Sequence, residues 1–348
     1  MRASIVLFAL AGALAHAGPA RADAAAMAAL AQYEGADRTA RLIEGARREG
    51  EVVLYTSLTV ADMAVLNPAF EKKYGVKVKM WRAGADKILQ RALTEAQGGR
   101  FDVDVLEAST PALESLYREK LLAPVKSPLH ADLMEEAVPA HRGWVGARLN
   151  VFVHAYNTDL VKKEDLPKTY QDLLNARWKG KLGIESADED WFANVVSGLG
   201  EEKGLKLFRN IVASNGISVR KGHTLLTNLV ASGEVPFALT VYNFTAEQLR
   251  QKGAPLAWYV MQPAVARANG LGVARNAPHP HAALLYYDFM IGDEGQRILA
   301  SRDFLPTSKK FDSPFKDTKL KLVDPGQLLD EEAKWTGLYK DIFLKQPK

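Results

Sequence analysis

Apolar residues recur along this chain with two periods. From Asp62 to Tyr74, Met63, Leu66 and Phe70 fall on one helical stripe, and Gly75 supplies a stop. Ahead of it, Glu51-Val52-Val53-Leu54-Tyr55-Thr56-Ser57 is a β-branched run closing on small hydroxyl residues; behind it, Val76 to Met80 alternates. Asp86 to Ala96 predicts a second amphipathic helix and Val103 to Leu106 a third strand. Strand, helix, strand, helix, strand is the order of a parallel α/β lobe. The pattern then begins again. Leu149 to Tyr156, Lys181 to Ile184 and Val235 to Val241 read as strands. Phe192 to Leu199, Gly204 to Ala213 and Thr224 to Ser232 read as helices, as do Pro280 to Ile291 and Glu294 to Ser301.

Where the strands end is more informative than where they run. Ligands of open α/β sheets sit beyond the carboxyl ends of strands, against helix N-termini with free N–H groups. Four such ends carry small or polar residues: Thr56-Ser57, Glu107 to Thr110, Glu185 to Trp191, and Tyr242-Asn243. Two belong to each half, as a cleft between two lobes requires. The candidate ligand-binding residues are therefore Thr56, Ser57, Glu107, Ser109, Thr110, Asp190, Trp191, Tyr242 and Asn243. Arg220 and Thr224, from a basic turn that opens a helix, join them as candidates for an anionic ligand group. Ser109 or Thr110 also reads as the cap of a helix starting at Pro111.

The beginning of the chain reads as an address. Arg2, the apolar run Ile5 to Ala15 and the small-residue site Ala20-Arg21-Ala22 form a signal peptide over 1–22, with Asp23 the first mature residue. The remainder is long for one core and natural for two lobes. With no cysteine, disulfides, thiolate metal sites and a lipid-modified cysteine are excluded, so the expected location is the periplasm. The 45 basic and 41 acidic residues are mixed along the chain, which gives no basic stripe for nucleic acid. No nucleophile elbow, His-Glu-x-x-His or phosphate loop appears, and no cofactor is expected; an enzyme is the weakest reading.

Six segments, in order, resemble the bacterial extracellular solute-binding proteins of the ferric-ion-binding type. They are Val52 to Ser57, Phe70 to Val78, Phe101 to Val105, Trp178 to Gly183, Gly233 to Leu239 and Asp293 to Arg297. The resemblance implies a two-lobed α/β periplasmic binding protein fold with hinge crossover strands near 149–156 and 264–274. Lobe 1 would comprise 23–148 and 265–348, and lobe 2 149–264. It also implies a monomer that delivers its ligand to an ABC permease in the inner membrane. One departure bears on the ligand. Ferric members carry adjacent tyrosines just after the Gly-Glu-x-x-x-Ala-Leu segment; here the paired positions hold Asn243 and Phe244, with Tyr242 one place earlier. A ferric ion would fall to Glu107, Asp190 and Tyr242. The missing pair favours instead a small polar organic solute, phosphorylated, phosphonate or amine-containing, held by Ser57, Thr110, Arg220 and Asn243. A ligand-presenting sensor subunit is the remaining alternative.

Overall fold

The computed structural model describes residues 24–345. The signal peptide expected over 1–22, and Asp23, lie outside them. Two helices, α1 (Ala24–Ala31) and α2 (Arg38–Glu49), lead into β1 (Glu51–Thr56), α3 (Val60–Tyr74), β2 (Lys77–Arg82), α4 (Ala85–Gln97), β3 (Val105–Ser109) and α5 (Thr110–Arg118). Helix α3 shows how local chemistry fixes an element. The Thr59 side chain accepts from the Asp62 N–H at its start, and Gly75 ends it at φ +75°, a left-handed turn that glycine adopts without steric cost. Strand β1 lies between β2 and β3, parallel to both.

A short β4 (Leu122–Ala123) precedes the long β5 (Val145–Asn157), and the second half follows: β6 (Leu182–Glu185), α6 (Glu189–Leu199), α7 (Glu201–Asn215), β7 (Ser218–Arg220), α8 (His223–Ser232), β8 (Phe237–Tyr242), α9 (Asn243–Gln251) and β9 (Leu256–Tyr259). The chain then runs through β10 (Ala264–Ala274), α10 (Pro280–Ile291), α11 (Asp293–Ser301), β11 (Leu305–Pro306), β12 (Leu320–Leu322), α12 (Pro325–Asp330) and α13 (Glu332–Tyr339).

Strand β5 joins the two halves. Its first part pairs antiparallel with β10 and β11; its second part pairs with β8 on one edge and β9 on the other. The path across the sheet is β2-β1-β3-β10-β5-β8-β6-β7. The chain thus enters the second lobe within β5 and leaves it through β10, as crossover strands do. All thirteen residues of β5 are buried.

The tail departs from the expected return of 265–348 to the first lobe. Helix α12 packs on α5, but α13 packs on α6, and the final turn Lys340–Leu344 on α7. Trp335, Tyr339 and Phe343 surround Phe192 with ring centroids 6.1, 5.7 and 5.3 Å away. The Tyr339 hydroxyl donates to the Glu185 carbonyl. This aromatic stripe covers the apolar face of α6 and α7, so 332–344 is part of the second lobe by packing. Among the described residues, no helix is long and apolar enough to cross a membrane.

Candidate ligand site between the lobes

Strands β1 and β3 end side by side, and there the first lobe resolves a buried charge completely. Glu107 is 1% exposed. Its Oε2 accepts from the hydroxyl of Thr56 (2.7 Å), the N–H and hydroxyl of Ser57 (2.8 and 3.0 Å) and the N–H of Leu58 (3.1 Å). Arg148, on β5 and 3% exposed, donates to Oε1. Burial opposes ionisation of Glu107, yet Arg148, Thr56 and Ser57 more than offset it and hold the carboxyl below its ordinary value. Glu107 and Thr56 therefore build the wall; Ser57 and Ser109 reach the cavity itself. Ser109 stands at the N-cap of α5 without a side-chain capping bond, and the helix begins at Thr110 rather than Pro111. Thr110 turns away from the cleft and donates to the Ala268 carbonyl at 3.1 Å.

On the second lobe, Arg267 of β10 donates to Asp190 Oδ2 at 2.7 Å and to the Tyr242 hydroxyl. Burial works against its charge; Asp190 and Tyr242 overcome that and raise Arg267 above its ordinary value. Burial pushes the Tyr242 hydroxyl well up, with only partial relief from Arg267. Burial also lifts Glu189 to about 7, with Asp190, Asp188 and Glu185 adding like charge. Thr224 and Tyr242 line the cavity. Trp191, expected to stack on ligand, is instead core: 1% exposed, with the rings of Tyr170 and Phe208 at 6.0 and 5.7 Å. Arg220 points to the surface and pairs with Glu234 at 3.1 Å. Asn243 is spent on backbone, accepting from the Val151 N–H and donating to the Asp303 carbonyl.

The crossover strands supply what the strand-end reasoning missed. Arg148 and Asn150 lie two apart on β5, Arg267 and Asn269 two apart on β10, so each pair shares one face of its strand. The antiparallel register sets Arg148 opposite Asn269 and Asn150 opposite Arg267. All four line a cavity of ≈ 160 Å³ together with Ser57, Arg82, Thr224 and Tyr242. The Nε of Arg148, the Nε of Arg267 and the Oδ1 atoms of both asparagines are buried with no hydrogen-bond partner. Each lone polar residue between apolar neighbours in the sequences of these strands was the available signal.

Two lobes joined by crossover strands, with convergent polar groups between them, are the architecture of a ligand-capturing binding protein. The model for the bacterial extracellular solute-binding protein family matches residues 103–328, and the chain belongs to that family. It is a solute-binding component of ABC import. It is 26% identical to iron uptake protein A1 of Synechocystis sp. over 270 residues, 73% of this chain and 74% of that protein. It is 25% identical to the Fe(3+)-binding periplasmic protein of Serratia marcescens, over 74% of this chain and 81% of that one. Among solved structures, AfuA of Actinobacillus pleuropneumoniae with exogenous fructose-6-phosphate bound superposes with a TM-score of 0.75 at 22% identity, covering 86% of this chain and 100% of that one. Iron-bound HitA of Pseudomonas aeruginosa gives 0.73 at 24%, covering 84% and 99%. These likenesses show the fold; the ligand must be argued from the cleft.

Proposed function

We propose that this protein is the periplasmic, monomeric subunit that captures a small polar organic solute bearing a phosphate, phosphonate or similar anionic group and hands it to an ABC permease. The observation that carries this reading is the square of Arg148, Asn150, Arg267 and Asn269: all four line one cavity, and the Nε of each arginine and the Oδ1 of each asparagine are buried beside it without a hydrogen-bond partner. Unpaired buried donors and acceptors cost about 1–3 kcal/mol each, a cost a ligand with matching groups removes. Guanidiniums suit phosphate oxygens, and the asparagine oxygens suit hydroxyl or amine donors. The size supports it too: cavities of about 150 Å³ accept a six-membered ring. Closure would move the lobes about β5 and β10, with 23–148 and most of 265–331 on one side, and 149–264 with 332–344 on the other.

Ferric iron is the second reading, favoured by the names of the relatives. Against it, Phe244 stands where a second phenol is needed. Tyr242 faces a guanidinium, and Glu107 is fully engaged. The test is calorimetric titration of the purified chain with fructose 6-phosphate, 2-aminoethylphosphonate, inorganic phosphate and ferric citrate. A phosphorylated or phosphonate solute should bind, at least tenfold more weakly in Arg267→Lys. A tyrosine–iron absorption band that vanishes in Tyr242→Phe, with no organic ligand bound, would overturn the reading.

A further inference from the structure

Beneath the second-lobe wall lies a cluster that solute capture leaves unused. Glu185 ends β6, Asp188 occupies the N-cap of α6, and His223 opens α8; one donor atom from each lies within 4.8 Å of the others. Asp188 is 0% exposed, and neither of its carboxylate oxygens has a hydrogen-bond partner. Its close contact is His223 Nε2 at 3.1 Å, an ion pair only when the imidazole is protonated. The Nδ1 of His223 is likewise buried without a partner.

Charge is left over here. Four carboxylates, Glu185, Asp188, Glu189 and Asp190, crowd this turn, and the guanidinium beside them, Arg267, is committed to Asp190. Arg267 is near enough to act on Asp188 electrostatically, but a buried carboxylate with no hydrogen-bond donor remains costly, which sets Asp188 apart from the satisfied Glu107. Glu185 is oriented rather than consumed. Its Oε1 accepts from the Gly222 N–H at 2.7 Å and the Ser186 hydroxyl at 3.2 Å, its Oε2 from the Ala187 N–H. Three of roughly four lone-pair positions are used and one remains. Gly222 makes that bond at φ +104°, a backbone position that disfavours any side chain. Sequence and backbone thus hold a carboxylate and an imidazole around a second, unpartnered carboxylate.

We propose that Glu185, Asp188 and His223 form a site for a divalent transition-metal ion, separate from the solute cavity. One imidazole and two carboxylates are a mixed nitrogen and oxygen donor set suited to zinc, which holds such donors at about 2.0–2.2 Å. The cluster closes on an ion by small side-chain adjustments. All three donors belong to the second lobe, so the ion binds without lobe closure and is a resident of the wall, not the cargo of the clamp. It ties the β6–α6 turn to the start of α8. The His223 ring lies against Tyr242, with centroids 3.7 Å apart and the planes tilted by 33°, so the ion stiffens the surface against which the solute sits.

The test is titration of the chelator-treated, purified full chain with zinc chloride, read by calorimetry and elemental analysis, alongside small-angle scattering. Expected are one zinc per chain, affinity at least tenfold lower in both Asp188→Asn and His223→Gln, and no change in radius of gyration. Should the variants fail to fold, cobalt(II) added to the wild-type chain reports directly. A four- or five-coordinate site gives visible absorption well above that of the aqueous ion. No stoichiometric binding, zinc affinity unchanged in both variants, cobalt absorption like the aqueous ion, or compaction on adding zinc would each overturn the proposal.

Discussion

The two walls of the cleft are built alike and charged differently. In each, a parallel strand with an acid at or near its end leads into a helix. On the first lobe, Glu107 meets five donors, including the guanidinium of Arg148, and its charge is settled inside the wall. On the second, Asp188 has no hydrogen-bonding partner and Glu189 is lifted to about 7. An acid within the strand thus serves as a rigid support on one side, and an acid at the N-cap of the following helix stands as an unresolved electrostatic site on the other. The difference teaches that a buried acid by itself says little; the number of donors left to it distinguishes scaffold from chemistry.

The contrast breaks most visibly at Arg148. Arg148→Ala leaves Glu107 buried without its cation, and losing one member of such a pair costs about 3–5 kcal/mol. Guanidinium unfolding at neutral pH should show a loss of that size. A loss under about 1 kcal/mol would mean that the Thr56, Ser57 and Leu58 donors alone carry the charge, and that the first wall is less dependent on its ion pair than its geometry indicates.

How much of this was legible follows from the range of each interaction. The four strand ends were readable because periodicity and small hydroxyl residues are local signals. Which residues at those ends face the cleft was not. Thr110 and Trp191 sit within one helical turn of Ser109 and Asp190, yet the phase of the helix sends Thr110 to the Ala268 carbonyl and Trp191 into the core beside Phe208. Asn243 was read as a ligand group, but the backbone of β5 consumes it. Arg148 opposite Asn269 depends on the register of strands more than a hundred residues apart, which no local pattern contains. The tail shows the same split. Trp335, Tyr339 and Phe343 recur every four residues, a visible helical stripe, while their partner Phe192 lies more than 140 residues earlier in the chain, which no local pattern shows.

A second comparison concerns proton uptake in the lobes' interiors. His154 on β5 is 1% exposed and donates from Nδ1 to the Leu239 carbonyl at 2.8 Å. Burial lowers it from 6.5 to about 4, with the Leu239 bond opposing in part. The unfolded chain then binds the proton more readily than the folded one. The contribution is fully present above pH 6.5 and is lost as pH falls through about 4. Stability should drop by roughly 2 kcal/mol on acidification to about pH 5 through this residue, since each pH unit below the unfolded value costs about 1.4 kcal/mol. His154→Gln should flatten that slope in urea unfolding measured across the range. An unchanged slope would transfer the effect to His130, which burial also lowers to about 4 and whose Nε2 lies 2.8 Å from the Tyr287 hydroxyl.

The smallest expected effect is the most discriminating, because its sign is opposite to the first. Asp188→Asn removes a buried carboxylate that has no hydrogen-bond partner to lose, and Asp188 makes no side-chain capping bond to α6 that asparagine would need to replace. The contact with His223 Nε2 at 3.1 Å is an ion pair only while the imidazole is protonated. In chelator the substitution should stabilise the protein, by about 1 kcal/mol, since it removes a buried carboxylate whose oxygens have no hydrogen-bond donor. With zinc present the sign should invert, because the parent chain gains more binding energy in its folded state than the variant. Thermal melts of both chains, with chelator and with zinc, give the four values needed. If Asp188→Asn destabilises in both conditions, Asp188 is settled by its surroundings as Glu107 is, and the two walls are electrostatically alike.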